Sequence, residues 1–240
     1  GVDILVTREG KGGAYQGSWN EQRDAGGQRT ANQIISYSES DVRRFLEASA
    51  RLAQVRRGKL SVVWKESGVP SISALWRDLA EETAADHGIE CCLVDIDLMA
   101  YRLIQDASTF DVIAAPNLFG DVLADLGAVI LGSRGVSYSG NFNQSGHAVY
   151  QTNHGAAYDL AGTDTANPVG QILSVAMMLR ESFCLPVAAA AIEEAMRVVW
   201  DAGYVTADLE TAGDTLIGTQ KMGTLIAGHV EQILGNSNVD

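Results

Sequence analysis

The 240-residue chain is 46% hydrophobic and 20% charged and carries a formal net charge of -13 at pH 7. That balance fits a folded globular protein and excludes a disordered one. It also excludes a nucleic-acid partner, because phosphate binding needs clustered Lys and Arg, whereas a few placed cations can still serve a small anionic substrate. Cys91, Cys92 and Cys184 show no CxxC spacing, and a reduced, cytoplasmic chain is expected. No apolar run is long enough to read as a membrane span. No signal peptide is visible. The chain opens without Met on the apolar "GVDILVTREG", so further sequence is expected upstream.

Along the chain, short β-branched runs alternate with helical patterns. "VDILVTR" (2–8) and "NQIISYS" (32–38) read as strands. Ser38 to Asp41 resembles a capping box opening a helix whose apolar positions are Val42, Phe45, Leu46 and Leu52. "LSVVW" (60–64) reads as a strand, and 73–88 as a helix closed by Gly88. A strand at 90–96, a helix near 98–106, a strand at 110–115 and a helix over 118–130 follow. Residues 132–147 are rich in Gly, Ser and Asn and read as a long loop, and "AVYQTNHG" as strand-to-loop. Helices at 168–183 and 186–203 each open on Pro, and a last helix spans about 222–234. The alternation predicts an α/β fold with a mainly parallel sheet covered by helices. Composition shifts near residue 130, which predicts two domains, 1–130 and 131–240.

Asp121 and Asp125 fall four apart in the otherwise apolar "NLFGDVLADLG", so they share a helix face. Asp97 falls at another strand-to-helix junction, and ligands bind at the C-terminal ends of parallel strands. Three acids converging there suit a hard divalent cation such as Mg²⁺. Each one alone reads better as a helix cap or a solvated face. Arg8 ends a strand and opens "REGKGGAYQG", where it could fork onto a carboxylate while the glycines make a turn or admit a ligand. Lys65 is a catalytic lysine or an ordinary strand-end cation. "HGAAYDLAGTDTANP" (154–168) could cradle an adenosine, although it is no GxGxxG fingerprint.

Taken together and in order, "REGKGGAYQG", "FDVIAAPNLFGDVLADLGAVILGS" and "HGAAYDLAGTDTANPVGQILSVAMML" resemble the isocitrate and isopropylmalate dehydrogenase family. These are metal-dependent decarboxylating dehydrogenases of β-hydroxyacids. The resemblance covers nearly the whole chain, and "REGKGGAYQGSW" is more similar to the isopropylmalate branch. It implies that 1–130 is the later part of a substrate-binding and dimerisation domain. Residues 131–240 are then the C-terminal part of a cofactor-binding domain. By position, Arg8 matches the arginine gripping the malate part of the substrate, Tyr15 the acid, and Lys65 the lysine handling the hydroxyl proton. Asp97, Asp121 and Asp125 match the aspartates holding Mg²⁺ or Mn²⁺. His154, Gly155, Ala156, Asp159 and Asn167 match the loop holding the adenosine end of the cofactor. NADP-using relatives carry Lys then Tyr where this chain has Asp159 and Leu160, which points to NAD. The resemblance also implies a homodimer in which Lys65 and Asp97 reach into the partner's site.

The chain departs from the family pattern in two places. Trp64 precedes the lysine and Ser67 follows it in "KESGVPS", where Asp and Asn are usual. The family's glycine-rich N-terminal motif and its further substrate arginines have no counterpart. The resemblance therefore implies an NAD- and metal-dependent oxidative decarboxylase of a 3-substituted malate. Its alternatives are a non-catalytic regulatory subunit and a specialised biosynthetic relative acting on an unusual malate analogue.

Overall fold

The computed structural model describes residues 1–236, and the chain divides into two compact units, Gly1–Gly127 and Ala128–Asp240. In the first unit the elements run β1 (Leu5–Arg8), β2 (Trp19–Arg23), β3 (Arg29–Gln33), α1 (Glu39–Gln54), β4 (Lys59–Trp64) and α2 (Pro70–His87). They continue with β5 (Glu90–Asp95), α3 (Ile96–Asp106), β6 (Val112–Ala115) and α4 (Asn117–Ile130). β1, β6, β4 and β5 form a four-stranded, wholly parallel sheet in that order. This is the α/β class expected from the alternation.

Alternation along the strands splits the core in two. Val62, Val112 and Ala114 pack with Leu46, Leu60 and Trp76 under α1 and α2. Val63 and Ile113 point the other way, and α3 packs against β4 and β5 with Met99 and Leu103 fully buried. Ser38 caps α1 as expected: its Oγ accepts the Asp41 N–H and donates to the Asp41 carboxylate. Gly88 ends α2 at φ 63, the left-handed conformation that glycine adopts without penalty.

The expected strand at 32–38 is displaced. Residues 19–33 form an antiparallel hairpin instead, β2 against β3, and the chain leaves the ladder after Gln33. Every residue of that hairpin is exposed, so burial gives its sequence no alternating signature. Of "IISY", Tyr37 packs against the core and Ile35 borders a hollow, while Ile34 is exposed.

In the second unit a 3₁₀ turn at Arg134–Val136 precedes β7 (Tyr138–Phe142), which pairs antiparallel with β8 (Ala148–Thr152). The region read as loop over 132–147 therefore holds most of a hairpin. Its Gly and Asn content hid the strand. α5 (Val169–Glu181), α6 (Pro186–Asp201), β9 (Tyr204–Val205), β10 (Thr215–Leu216) and α7 (Thr219–Asn236) complete the unit. Its core joins Val136, Val169, Leu173, Val199, Met222 and Ile226. Gly170 is obligatory here, since a Cβ would lie 2.8 Å from the carbonyl oxygens of Gly135 and Ser137.

Candidate functional site

All four strands of the parallel sheet run the same way, so Arg8, Lys65, Asp95 and the start of α4 lie along one edge, that of the strand C-termini. Arg8 closes β1 opposite Ala115 of β6. Its Nη1 reaches Asp121 at 2.5 Å, and its Nε and Nη2 donate to Asn117 Oδ1 at 3.1 and 2.8 Å. Gly120 makes room for this: a Cβ there would come within 2.9 Å of Arg8 Cβ and Cγ. The Tyr15 ring stacks on the guanidinium, with 5.3 Å to the ring centroid, and its hydroxyl donates to Asp121 Oδ2 at 3.1 Å. That bond holds the Tyr15 pKa above its ordinary value, with the Asp121 charge adding and Arg8 opposing.

The Gly-rich turn between Arg8 and Tyr15 is fixed from below. Glu9 is buried, at 2% exposure, and its carboxylate accepts the backbone N–H groups of Lys11 and Gly12, each at 2.8 Å. Gly12 and Gly13 press against the Tyr37 ring, where a Cβ would meet it, and Gly13 has φ 84. In this structure their freedom serves packing against Tyr37.

Lys65 follows β4, and its Nζ donates to Asp97 at 2.7 Å, with Asp95 at 3.8 Å. The Asp97 contact raises the Lys65 pKa against a smaller desolvation effect, and Lys65 in turn lowers that of Asp97. A base at this position needs a lowered pKa, but within one chain an aspartate sits on the ammonium and favours its charged form. An apolar hollow lined by Trp64, Ile72, Trp76, Pro116 and Phe119 borders Lys65, with about 420 Å³ of empty volume counted out to its open mouth.

The expectation that Asp97, Asp121 and Asp125 converge is not met within one chain. No group of three or more His, Cys, Asp or Glu suited to a metal exists among the described residues. The strand order gives the reason. α4 follows β6 and α3 follows β5, and β4 lies between those strands, a separation of roughly 10 Å at ordinary strand spacing. Asp121 and Asp125 do lie one turn apart on α4. Two carboxylates with oxygen-only donors suit Mg²⁺ or Mn²⁺, which leave coordination positions for substrate oxygens.

In the second unit the segment from His154 to Asn167 is mostly exposed. His154 Nδ1 lies 2.8 Å from the Gly155 carbonyl oxygen. Ala157 holds φ 44, a left-handed conformation that is strained for a non-glycine residue. Asp159 is exposed on the single 3₁₀ turn Tyr158–Leu160 that follows. Two anchors hold the segment's far end. Asp164 accepts the N–H groups of Thr219 and Gln220 at the start of α7. Asn167 Oδ1 accepts the Val169 N–H at the start of α5. Exposed backbone, a carboxylate and a fixed exit suit a ribose and adenine better than a metal.

A family model described as isocitrate/isopropylmalate dehydrogenase matches residues 1–226. The chain belongs to this family. It is 40% identical over 228 residues to a 3-isopropylmalate dehydrogenase of Oleidesulfovibrio alaskensis, covering 94% of this chain and 63% of that protein. It is 39% identical to one of Pseudomonas putida, covering 97% of this chain and 65% of that protein. The crystal structure of an isocitrate dehydrogenase from Methylococcus capsulatus superposes with a TM-score of 0.90 at 30% identity, covering 96% of this chain and 68% of that one. The chain thus spans just under two thirds of the length of the isopropylmalate dehydrogenases it matches.

Within this family member, three residues that support the Arg8–Tyr15 turn had no sequence signal of their own. Asn117 falls just before the helix read over 118–130, Glu9 within "REGKGGAYQG", and Tyr37 within the strand read at 32–38. Their roles appear only when β1, β6 and the 9–13 turn come together: Tyr37 Oη accepts the Asn117 N–H, and Asn117 Nδ2 donates to the Gly12 carbonyl.

Proposed function

We propose that this protein is an NAD- and divalent-metal-dependent dehydrogenase that oxidatively decarboxylates a 3-substituted malate of the isopropylmalate type. The observation that carries the reading is the clamp of Arg8, Tyr15 and Asp121 at the sheet's C-terminal edge. A cation for a substrate carboxylate, a proton donor and a metal-binding acid are there within contact of one another. Family membership and the isopropylmalate dehydrogenase relatives support the substrate class.

In this reading Asp121 and Asp125 hold Mg²⁺ or Mn²⁺. The 154–167 segment takes the adenosine end of NAD through His154, Gly155, Ala156, Asp159 and Asn167. When bound, the cation supplies Lewis acidity at the substrate's hydroxyl and carboxylate oxygens, and NAD supplies the hydride acceptor. Arg8 grips the malate carboxylate, where its planar fork fixes orientation as well as charge. Lys65 handles the substrate hydroxyl's proton. It serves as base only when Asp97 turns to the cation and the nearby positive charge lowers the lysine's pKa, reversing the shift seen within one chain. Tyr15 delivers a proton to the carbon left when CO₂ departs. Asp159 accepts from the ribose hydroxyls, and its charge repels a 2′-phosphate, which selects NAD over NADP.

The active assembly is a homodimer that brings Lys65 and Asp97 of one subunit to the Asp121 side of the other. Two features support it. Leu98, Tyr101 and Ile104 form an exposed apolar stripe on α3, and Leu118 and Val122 another on α4. The hairpin β2–β3 is exposed on both faces, although isolated two-stranded hairpins are marginal in water. A cytoplasmic setting accords with the free Cys91, Cys92 and Cys184. Among the described residues no helix is long and apolar enough to cross a membrane.

The deciding experiment is NADH formation by the full chain with Mg²⁺ against a panel of malates: isopropylmalate, isocitrate, homoisocitrate, tartrate and malate. Turnover of one of them, abolished by EDTA and by Asp121→Asn, is the expected result. A folded dimer that binds neither Mg²⁺ nor NAD and turns over none of the panel would refute the reading and leave a regulatory subunit on the same scaffold.

A further inference from the structure

Asp208 lies outside the segment matched to the cofactor, yet three hydrogen bonds converge on it. Thr206 Oγ1, itself fully buried, donates to Oδ1 at 2.6 Å. Oδ2 accepts from the Ser133 hydroxyl and from Asn167 Nδ2, the latter at 3.1 Å. The Asp208 side chain lies at the surface, where partial desolvation pushes its carboxyl up, but these donors outweigh it and hold its pKa below the usual carboxylate range. A charged acceptor is thus set permanently against the Asn167 amide.

The other end of that amide is committed as well, because Oδ1 accepts the Val169 N–H. Asn167 therefore has a defined rotamer, set between Asp208 and the first turn of α5. The packing is close enough to require glycine next to it. A Cβ on Gly135 would lie 2.7 Å from Asn167 Cβ and 2.9 Å from Asp208 Oδ2. The Gly135 N–H in turn bonds Ser133 Oγ at 2.9 Å.

We propose that Asp208 is a positioning residue for the dinucleotide: through the Asn167 amide it fixes the exit of the 154–167 segment in the geometry that receives the adenosine end of NAD. The proposal rests on the functional reading above and adds to it a residue from a different stretch of chain. Asp208 makes no contact with the cofactor. It acts by keeping Asn167 from rotating, which a ligand would otherwise have to arrest at an entropic cost.

The test is calorimetric titration of the full-length protein with NAD and, separately, with AMP, which carries only the adenosine end. Asp208→Ala is expected to weaken both by about tenfold, the worth of one charge-assisted hydrogen bond. Asp208→Asn can still accept from Asn167 while donating to a hydroxyl, and should restore affinity to within about twofold of wild type. In an Asn167→Ala background Asp208→Ala should add less than about twofold, since its effect passes through Asn167. Should Asp208→Ala fail to fold, Gly135→Ala carries the test. It displaces the same pair without removing a polar group and should show the same loss. Wild-type affinity in Asp208→Ala, or full additivity with Asn167→Ala, would overturn the proposal. Absence of any NAD or AMP binding by the wild-type protein would overturn the functional reading itself, and the proposal with it.

Discussion

Replacing Asn117 by Ala removes a side chain that is 2% exposed and joins β1, the Gly-rich turn and α4. Its Oδ1 accepts two guanidinium N–H groups of Arg8, and its Nδ2 donates to Gly12. A hydrogen bond to a charged group contributes about 1.5–3 kcal/mol and a neutral one about 1. The Arg8 side chain is 38% exposed, so water recovers part of its loss, and the charged contribution falls to about 1–2 kcal/mol. The sum is about 2–3 kcal/mol. For a chain of this size that moves the urea midpoint down by about 1 M with the slope unchanged. Trp19, Trp64 and Trp76 belong to the first unit and Trp200 to the second, so fluorescence in a Trp200→Phe background reports the first unit's unfolding.

The effect should couple to Arg8. In an Arg8→Ala background the same substitution should cost about 1–2 kcal/mol less, because the guanidinium it served is gone. Its signature on activity is a raised KM for the hydroxy acid, since an unheld Arg8 retains its charge but loses its aim. A midpoint unchanged within about 0.2 M, or strict additivity with Arg8→Ala, would refute the assignment of Asn117 as the brace of Arg8.

Gly120→Ala would gain about 1 kcal/mol of helix propensity, but its Cβ would lie 2.9 Å from Arg8 Cβ and Cγ, the root of that side chain and not its flexible end, so β1 or α4 must shift. Lower thermal stability together with a raised KM is expected, seen by comparing melting with kinetics, and an unchanged melting temperature would refute the close fit. Asp111 is buried and bonded to Arg56 Nε and the Arg57 N–H, each at 2.8 Å; burial raises its pKa, but these donors prevail and lower it, so its contribution is present above the unfolded value and lost as pH falls through the folded one. Asp111→Asn should therefore cost about 3 kcal/mol near neutral pH, with the gap to wild type closing below about pH 4 in denaturation curves taken across pH. Tyr101→Glu places a charge on the exposed α3 stripe and should convert a dimer to monomers in light scattering while leaving the circular dichroism of the monomer intact.

The sheet and its helices were legible because burial imposes a period. β4 and β6 read as continuous apolar runs since parallel strands are covered on both faces. α2 and α4 carried ordinary helical patterns, and Ser38 and Gly88 marked ends with chemistry that local sequence supplies by itself. Where nothing is buried there is no period to read. All ten strand residues of the β2–β3 hairpin are exposed, and β7 was concealed by Gly, Ser and Asn.

The candidate site divides along the same physical line. Strand-end reasoning singled out Arg8 and Asp121, and the family resemblance alone singled out Tyr15. The fold brings the three together, Arg8 at the end of β1, Tyr15 in the turn that follows and Asp121 on α4 after the neighbouring β6. Asp97 obeyed the same logic and yet stayed with Lys65, because sequence order does not give strand order: β4 is inserted between β6 and β5. What escaped altogether were Glu9, Asn117 and Asp208, polar side chains that spend their hydrogen bonds on the protein itself. Such residues have no pattern of their own, since the partners that satisfy them, in the core for Glu9 and Asn117 and at the surface for Asp208, come from distant stretches of chain. The sequence therefore shows the candidate ligand-binding groups at strand ends. The side chains that hold those groups still become visible only once the strands are set side by side.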